Sequence, residues 1–351
     1  MHCNVVSSFD PRWDRFVADQ SQATFFHQWK WRALLQDIFG YEPHYLSVKD
    51  GDRITGILPL FLVRSALFGK SLVAIPLGVY GGAVASSPVA EKLLFEQALE
   101  IARQTRAKYL ELRGNPYNES LPVAALNETA TCVKQKDLYY TFIGPIDSND
   151  EVNLSKIPRK QRRMVRQAQS SGLKAVFDNA RLRDFYEVYA KSVRNLGTPV
   201  FGYDYFQRLL AEFGDRCIVQ VVEFEGKVVA GVLSFLFKDQ VLPYYGGAIK
   251  EYFHLAANDF MYWELMSYAA ARGVRIFDFG RSKEGTGAFN FKRHWGFEPR
   301  PLPYWYLPVN GAAIPDTSPL NPKLQWAIRI WRNLPLKVTM ALGPHIVKHI
   351  P

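Results

Sequence analysis

Two stretches of this chain carry the same order of apolar and polar positions. In HYLSVKDGDRITGILPLFLV, residues 44–63, apolar runs flank Asp50-Gly51, a pair that accepts the left-handed backbone of a tight turn, so the pattern predicts a β-hairpin. Pro59 in the second run lacks an N–H and predicts an edge or bulged strand. CIVQVVEFEGKVVAGVLSFLF, residues 217–237, repeats the arrangement around Glu225-Gly226. Tyr80-Gly81-Gly82-Ala83, a helical pattern in EKLLFEQALEIARQTRA and the strand-like YLELRG follow the first hairpin. Tyr245-Gly246-Gly247-Ala248, a helical pattern in ANDFMYWELMSYAA and RIFDFG follow the second. From the second glycine of each quartet to the glycine ending the last strand is 32 residues in one half and 33 in the other. This is an internal duplication, and two repeats of this length imply tandem domains and not a solenoid. Each half reads as hairpin, strand, helix, strand. The expected fold class is α/β of the mixed α+β kind, with two curved mixed sheets flanked by helices. The boundaries read as 1–150, 151–310 and a helical tail, 311–351.

Helical spacing recurs between and beyond these blocks. Phe25, Trp29, Arg32, Leu35 and Phe39 give residues 21–39 the pattern of an aromatic amphipathic helix that stops at Gly40. From Pro158 to Gly172 a basic helix is predicted, seated on a core through Met164, Val165 and Ala168. In the tail, Leu324, Ala327, Ile328 and Trp331 form one helical face with Lys323, Arg329 and Arg332 around it, and Pro335 and Pro344 divide it into short pieces. Such a helix either lies in a membrane interface or caps the second domain.

Composition narrows the class. At 351 residues the chain exceeds one ordinary core, and 48% hydrophobic residues exclude a largely disordered protein. Cys3, Cys132 and Cys217 form no CxxC pair and the seven histidines have no HExxH spacing, so neither a zinc site nor a disulfide framework is expected. A cytoplasmic setting follows, with no apolar signal segment at the N-terminus and no uncharged run of membrane-spanning length. The formal charge of +10 calls for an anionic partner. It is concentrated: KIPRKQRRMVR, residues 156–166, holds six Lys or Arg and no acid, and the tail after Asp316 holds five more with none. Arg159, Arg162 and Arg163 are therefore candidates to hold a polyanion, and a merely solvated helix face is the open alternative.

The chemistry concentrates in GVRIFDFGRSKEGTGAFNFKRHWGF, residues 273–297. A strand leads to GRSKEGTG, which has three glycines and two cations, so its backbone N–H groups are open to a ligand. A short helix follows, with Ala288, Phe291 and Trp295 spaced to share its inner face and Lys292 and His294 pointing elsewhere. Gly280 and Gly285 have the spacing of a nucleotide P-loop, but Thr286-Gly287 replaces its Lys-Ser/Thr pair, which argues against ATP or GTP. Arg281 and Lys283, with the backbone at Gly285 and Gly287, are candidates to bind a phosphate or carboxylate. Asp278 reads either as a proton acceptor or as a strand-end residue satisfying loop N–H groups. Thr198, Tyr203 and Asp204 in RNLGTPVFGYDYF, with Tyr245, are candidates to line a cleft, and simple packing of the tyrosines is equally open.

The chain resembles the Fem family of peptidoglycan aminoacyl transferases and, in its wider circle, Fem-like proteins of exosortase and exopolysaccharide loci. The resemblance covers most of the chain through GILPLFLVRSALFGKSL, YGGA, PRKQRRMVRQAQSSGL, LGTPVFGYDYF, YYGGA, LPLKVTMALGP and, most specifically, FDFGRSKEGTGAFNFKRHWGFEP. It implies two GNAT-like domains and transfer of an acyl or aminoacyl group to an amine of a cell-envelope or exopolysaccharide precursor. Lys292 stands in the FKxxWG pattern that such enzymes share, which implies a cation near the reacting carbonyl or a substrate phosphate. Two features depart from relatives. KEYFHLAANDF has no glycine where coenzyme A-dependent GNAT enzymes carry their pyrophosphate loop, and no long coiled-coil insertion is present. No tightly bound cofactor is implied. The donor stays open between aminoacyl-tRNA and an acyl thioester such as acyl-CoA or an acyl carrier. The expected partners are an anionic envelope or polysaccharide precursor, tRNA and a peripheral membrane surface contacted through 320–350, but not DNA. A non-catalytic RNA- or glycan-binding protein, or a membrane-surface scaffold, is the competing expectation.

Overall fold

The computed structural model describes residues 1–350 except 67, 118–122, 131 and 315–321, and for 123–125 and 322–324 it describes the backbone alone. The chain divides into two units: Met1–Tyr139 with Pro301–Asp316 and Lys348–Pro351, and Tyr140–Arg300 with Thr317–Val347. This differs from the sequence boundaries at three places. The second unit starts eleven residues early, residues 301–310 return to the first unit, and most of the tail belongs to the second.

In the first unit the sheet runs β1 (His2–Val6), β2 (Glu42–Asp50), β3 (Arg53–Ser65), β4 (Gly69–Ala74), β6 (Tyr109–Arg113), the strand Tyr304–Pro308, then β7 (Lys134–Lys136), and β5 (Val84–Ala85) pairs with β3. Its helices are α1 (Pro11–Asp19), α2 (Trp31–Phe39), α3 (Pro88–Gln104) and α4 (Val123–Thr129). The β2–β3 hairpin turns at Gly51, as the pattern predicts. Pro59, however, does not mark an edge. β3 is an interior strand, and Pro59 falls where its outer side changes partner, between Ile57, paired with β5, and Leu60, paired with β4. The helix expected over 21–39 is interrupted: a 3₁₀ turn at Phe25–His27 gives way to extended backbone at Gln28 (ψ 142°), and α2 starts only at Trp31. That break lets Phe25, Phe26 and Trp31 all be buried, with ring centroids 5.4 to 6.0 Å apart.

The second unit repeats the plan. Its sheet runs β14 (Ser282–Lys283), β8 (Tyr139–Pro145), β13 (Ile276–Asp278), β12 (Gln240–Ala248), β11 (Lys227–Phe237), β10 (Cys217–Phe224) and β9 (Lys174–Phe177). Its helices are α5 (Asp150–Lys156), α6 (Arg159–Gln169), α7 (Leu182–Leu196), α8 (Tyr203–Phe213), α9 (Ala257–Ala270), α10 (Gly287–His294), α11 (Pro322–Asn333) and α12 (Leu336–Val347). In each unit one crossover helix, α3 or α9, joins a parallel pair, β4 with β6 or β12 with β13. The repeated quartets differ in role: Tyr245–Ala248 lies in β12, whereas Tyr80–Ala83 is irregular backbone leading into β5.

The tail caps the second unit by packing on α7. Trp331 is buried and its indole donates to the Thr198 carbonyl at 3.1 Å, while Ile328 lies over Gly197. Of the predicted face, Ala327 is exposed, and the side chains of Lys323 and Leu324 lie outside the described residues. Pro344 does not end α12, because it costs only one backbone bond so near the C-terminus. No described helix is long and apolar enough to cross a membrane.

Candidate active site

β12 and β13 pair only at Gln240–Ile276 and Val241–Phe277, after which β12 runs on to Ala248 while β13 stops at Asp278. The two strands therefore part, and the chain leaves β13 at the mouth of that opening. Gly280 takes a left-handed backbone (φ 67°), and a Cβ there would stand 3.2 Å from Leu242. Gly285 is also left-handed (φ 76°), so the loop reverses and re-enters as α10. Thr286 caps that helix: its hydroxyl donates to the Lys283 carbonyl at 2.7 Å and accepts the Phe289 N–H at 3.3 Å.

The inner face of α10 is turned from the one the sequence spacing indicates. Phe289, Lys292 and Trp295 are buried, Phe291 is half-buried and Ala288 is exposed. Phe289 packs edge-on to Phe142, with centroids 5.2 Å apart, and its larger side chain wins the interior over Ala288. Trp295 meets Phe279, and Phe291 meets Tyr262. Lys292, expected to point away, is only 8% exposed. Its ammonium donates to the carbonyls of Gly280 at 3.0 Å and Arg281 at 3.1 Å and sits 5.8 Å from the Phe142 ring centre. Two of its three N–H bonds are so used, and the lysine ties helix to loop. Burial brings its pKa down from the ordinary 10.5 to about 7, against the pull of nearby Asp278 and with a smaller push from Arg281.

Asp278 is fully buried and accepts from the Gly280 N–H at 2.8 Å and the Thr141 hydroxyl at 3.4 Å. It satisfies the loop backbone, the second of the two roles the sequence left open. Arg281 and Lys283 are half-buried beside Lys292, and between them the buried Ser282 hydroxyl has no hydrogen-bond partner. The carbonyls under Lys292, the glycines at 285 and 287 and these two cations thus gather on one loop. Beyond α10, a pocket of about 240 Å³ is lined by Lys156, Trp295, Phe297, Glu298 and Arg300.

Two groups of predicted residues lie elsewhere. Tyr245 faces α7 and α8, on the side of the sheet opposite α9, where its hydroxyl is 2.8 Å from that of Tyr205 and its ring packs on Tyr189 and Phe206. Tyr203 packs on Tyr186 beneath the Arg183 guanidinium, 4.5 Å from the ring centre. Tyr245 is buried among these aromatic rings. The RNLGTPVFGYDYF stretch is not one loop: its ends belong to α7 and α8. Arg159 and Arg163 are exposed on α6 and Arg162 is half-buried, while Val165 and Ala168 seat the helix.

Sequence reasoning missed Asp259. Its buried carboxylate accepts from Gln161 of α6 and, at 3.1 Å, from the Trp295 indole at the end of α10, so it joins the basic helix, α9 and the site helix. Burial pushes its pKa up to about 6, although both hydrogen bonds act in the other direction. An acid in the first turn of a helix reads as ordinary dipole compensation, and so its position carries no distinguishing signal.

Residues 155–293 match the acetyltransferase (GNAT) domain, a span that includes the opening, the loop and most of α10. No curated protein sequence matches the chain. Among solved structures, FemX shares 16% identity at a TM-score of 0.69, over 88% of this chain and 98% of that one. The C-terminal domain of an Agrobacterium fabrum protein assigned as a lysylphosphatidylglycerol synthetase shares 14% at a TM-score of 0.58, over 86% and 91%. A tandem GNAT protein from the clavulanic acid biosynthesis pathway shares 12% at 0.54, over 84% and 93%. The duplicated architecture agrees in fold with these neighbours, one of which is a tandem GNAT protein. In fold the chain is thus similar to FemX and to a tandem GNAT protein, and its second unit contains the span that matches the acetyltransferase (GNAT) domain.

Proposed function

We propose that this protein transfers an acyl or aminoacyl group from a carrier to an amine of an anionic cell-envelope or exopolysaccharide precursor. The observation that carries the reading is Lys292, a buried ammonium held under a glycine loop at the mouth of the β12–β13 opening. In such a transfer the amine nitrogen bonds to the acyl carbon, the bond to the carrier oxygen or sulfur breaks, and the proton lost by the amine ends on that departing oxygen or sulfur. The intermediate needs a charge partner for its oxyanion, and Lys292 has one N–H left to give it. Its pKa near 7 also lets it exchange a proton at neutral pH. Arg281 and Lys283 hold a phosphate or carboxylate of the substrate, with the N–H groups at Gly285 and Gly287, and Asp278 positions the loop. Lys156 and Arg300 at the neighbouring pocket add attraction for an anionic acceptor.

For the donor, α9 favours aminoacyl-tRNA over acetyl-CoA. Its N-terminus follows a 3₁₀ turn, Lys250–Leu255, has no side-chain cap and offers no glycine to bring backbone N–H groups against a coenzyme pyrophosphate. The fold neighbour assigned as a lysylphosphatidylglycerol synthetase bears a name that couples an aminoacyl group to an envelope lipid. A second reading, a non-catalytic polyanion-binding protein, is favoured by Arg159, Lys160, Arg163 and Arg166, all exposed on one helix.

Thermal-shift and binding titrations with acetyl-CoA, longer acyl-CoAs, charged tRNA and uncharged tRNA, at low and moderate salt, test both. Saturable stabilisation by charged tRNA that persists at moderate salt supports the transferase with that donor; stabilisation by an acyl-CoA moves the donor to the thioester. Equal binding of every polyanion, confined to low salt, overturns the transferase in favour of the second reading.

A further inference from the structure

Of the tail face that sequence spacing marks as apolar, Ile328 and Trp331 pack inward, and the structure leaves other apolar side chains outward. With Ile328 and Trp331 turned inward on α11, Trp326 and Ile330 stand one turn apart on its outer side, 70% and 42% exposed. On α12, Thr339, Gly343 and Val347 are buried, which turns Val338 and Leu342 outward at 38% and 46% exposure. Both helices rest on α7, and on each of them two apolar side chains face solvent. Arg329, three residues after Trp326, and Lys337, beside Val338, are exposed on the same two helices. Residues 317–351 contain five Lys or Arg and no Asp or Glu.

We propose that α11 and α12 dock this protein peripherally on an anionic lipid surface, with Trp326, Ile330, Val338 and Leu342 entering the interface and Arg329 and Lys337 on headgroup phosphates. The occupant follows from charge and chemistry. Two acid-free helices with exposed cations call for an anionic counterpart, and the four exposed apolar side chains on them for a soft apolar one; a bilayer interface supplies both. Indole favours that interface because its ring is apolar and its N–H stays wet. The inference is independent of the transferase reading, since it uses none of the loop or α10 residues.

Flotation of the full chain with phosphatidylcholine vesicles, and with vesicles also containing phosphatidylglycerol, tests it. The protein should float with the anionic vesicles and stay behind with the neutral ones at moderate salt. Trp326→Ser with Ile330→Ser should lower partitioning about tenfold or more without changing the melting temperature, because both side chains are exposed. Arg329→Gln with Lys337→Gln should confine flotation to lower salt, and Lys160→Gln with Arg163→Gln on α6 should leave it as in the wild type. Failure to float, flotation of the Trp326/Ile330 variant at wild-type level, or loss of flotation in the α6 variant overturns the proposal. A concentration-dependent dimer that Trp326→Ser abolishes, without vesicle binding, assigns the face to a second copy of the chain and overturns it as well.

Discussion

Lys292 and Asp259 show how burial sets chemistry at the scale of one residue. Lys292 has an amide-rich but water-poor site, and its proton is held less firmly than in solvent. If its ammonium faces the oxyanion, turnover falls as pH rises through about 7, and Lys292→Arg, which keeps the charge, moves that descending limb upward. Lys292→Ala should lower kcat by about a hundredfold or more, roughly 3 kcal/mol in the barrier, and unchanged kcat would remove it from the chemistry. Asp259 gives a stability test. Its folded pKa, about 6, lies above the ordinary 3.8, so between those values the unfolded chain has released a proton that the folded one retains. Stability from this group is therefore complete below pH 3.8 and is lost as pH rises to about 6. Asp259→Asn removes the titration, and its melting temperature should lack the wild type's local decline across that window. An identical decline in the variant would place the effect elsewhere. Neither behaviour is written in the sequence, where Lys292 is one cation of several and Asp259 one helix-start acid.

At the scale of elements, what local pattern determines was legible and what competition determines was not. The hairpins at 44–63 and 217–237 follow from alternation and a turn pair, because strand partners three residues apart in the chain, Asp50 with Arg53 and Phe224 with Lys227, need nothing else to find register. The glycine loop was legible for the same reason: Gly280 and Gly285 mark backbone that other residues avoid. The inner face of α10 was not. Ala288 and Phe289 compete for one interior place, and the Phe142 ring across the sheet decides it. Thr286 fixes where the helix begins, so Thr286→Ala should cost about 1 kcal/mol of stability in the second unit and loosen the loop that Lys292 holds. Hydrogen exchange at Phe289 would report it. Unchanged protection there would mean that packing of Phe289 and Trp295 alone sets the helix start.

For the whole molecule, chain order and sheet order separate. β6 of the first unit pairs with Tyr304–Pro308, which follows the second unit in sequence, and β13 of the second pairs with β8, which directly follows the first. As the sequence divides them, each half lends a strand to the sheet of the other. Residues 1–150 expressed alone lack that strand, together with Trp305 and Leu307 of the first core, and should show no cooperative melting, whereas the full chain should; a cooperative melt would show that the exchanged strand is dispensable. The sequence by itself determined the duplication, the two hairpins, the glycine loop and the seat of the basic helix, since each is set by residues close together in the chain. Only the tertiary structure decided the domain boundaries, the burial of Lys292, the bridge through Asp259 and which face of the tail meets solvent. Those depend on which side chains from distant segments compete for the same interior space, and one-dimensional spacing holds no record of that competition.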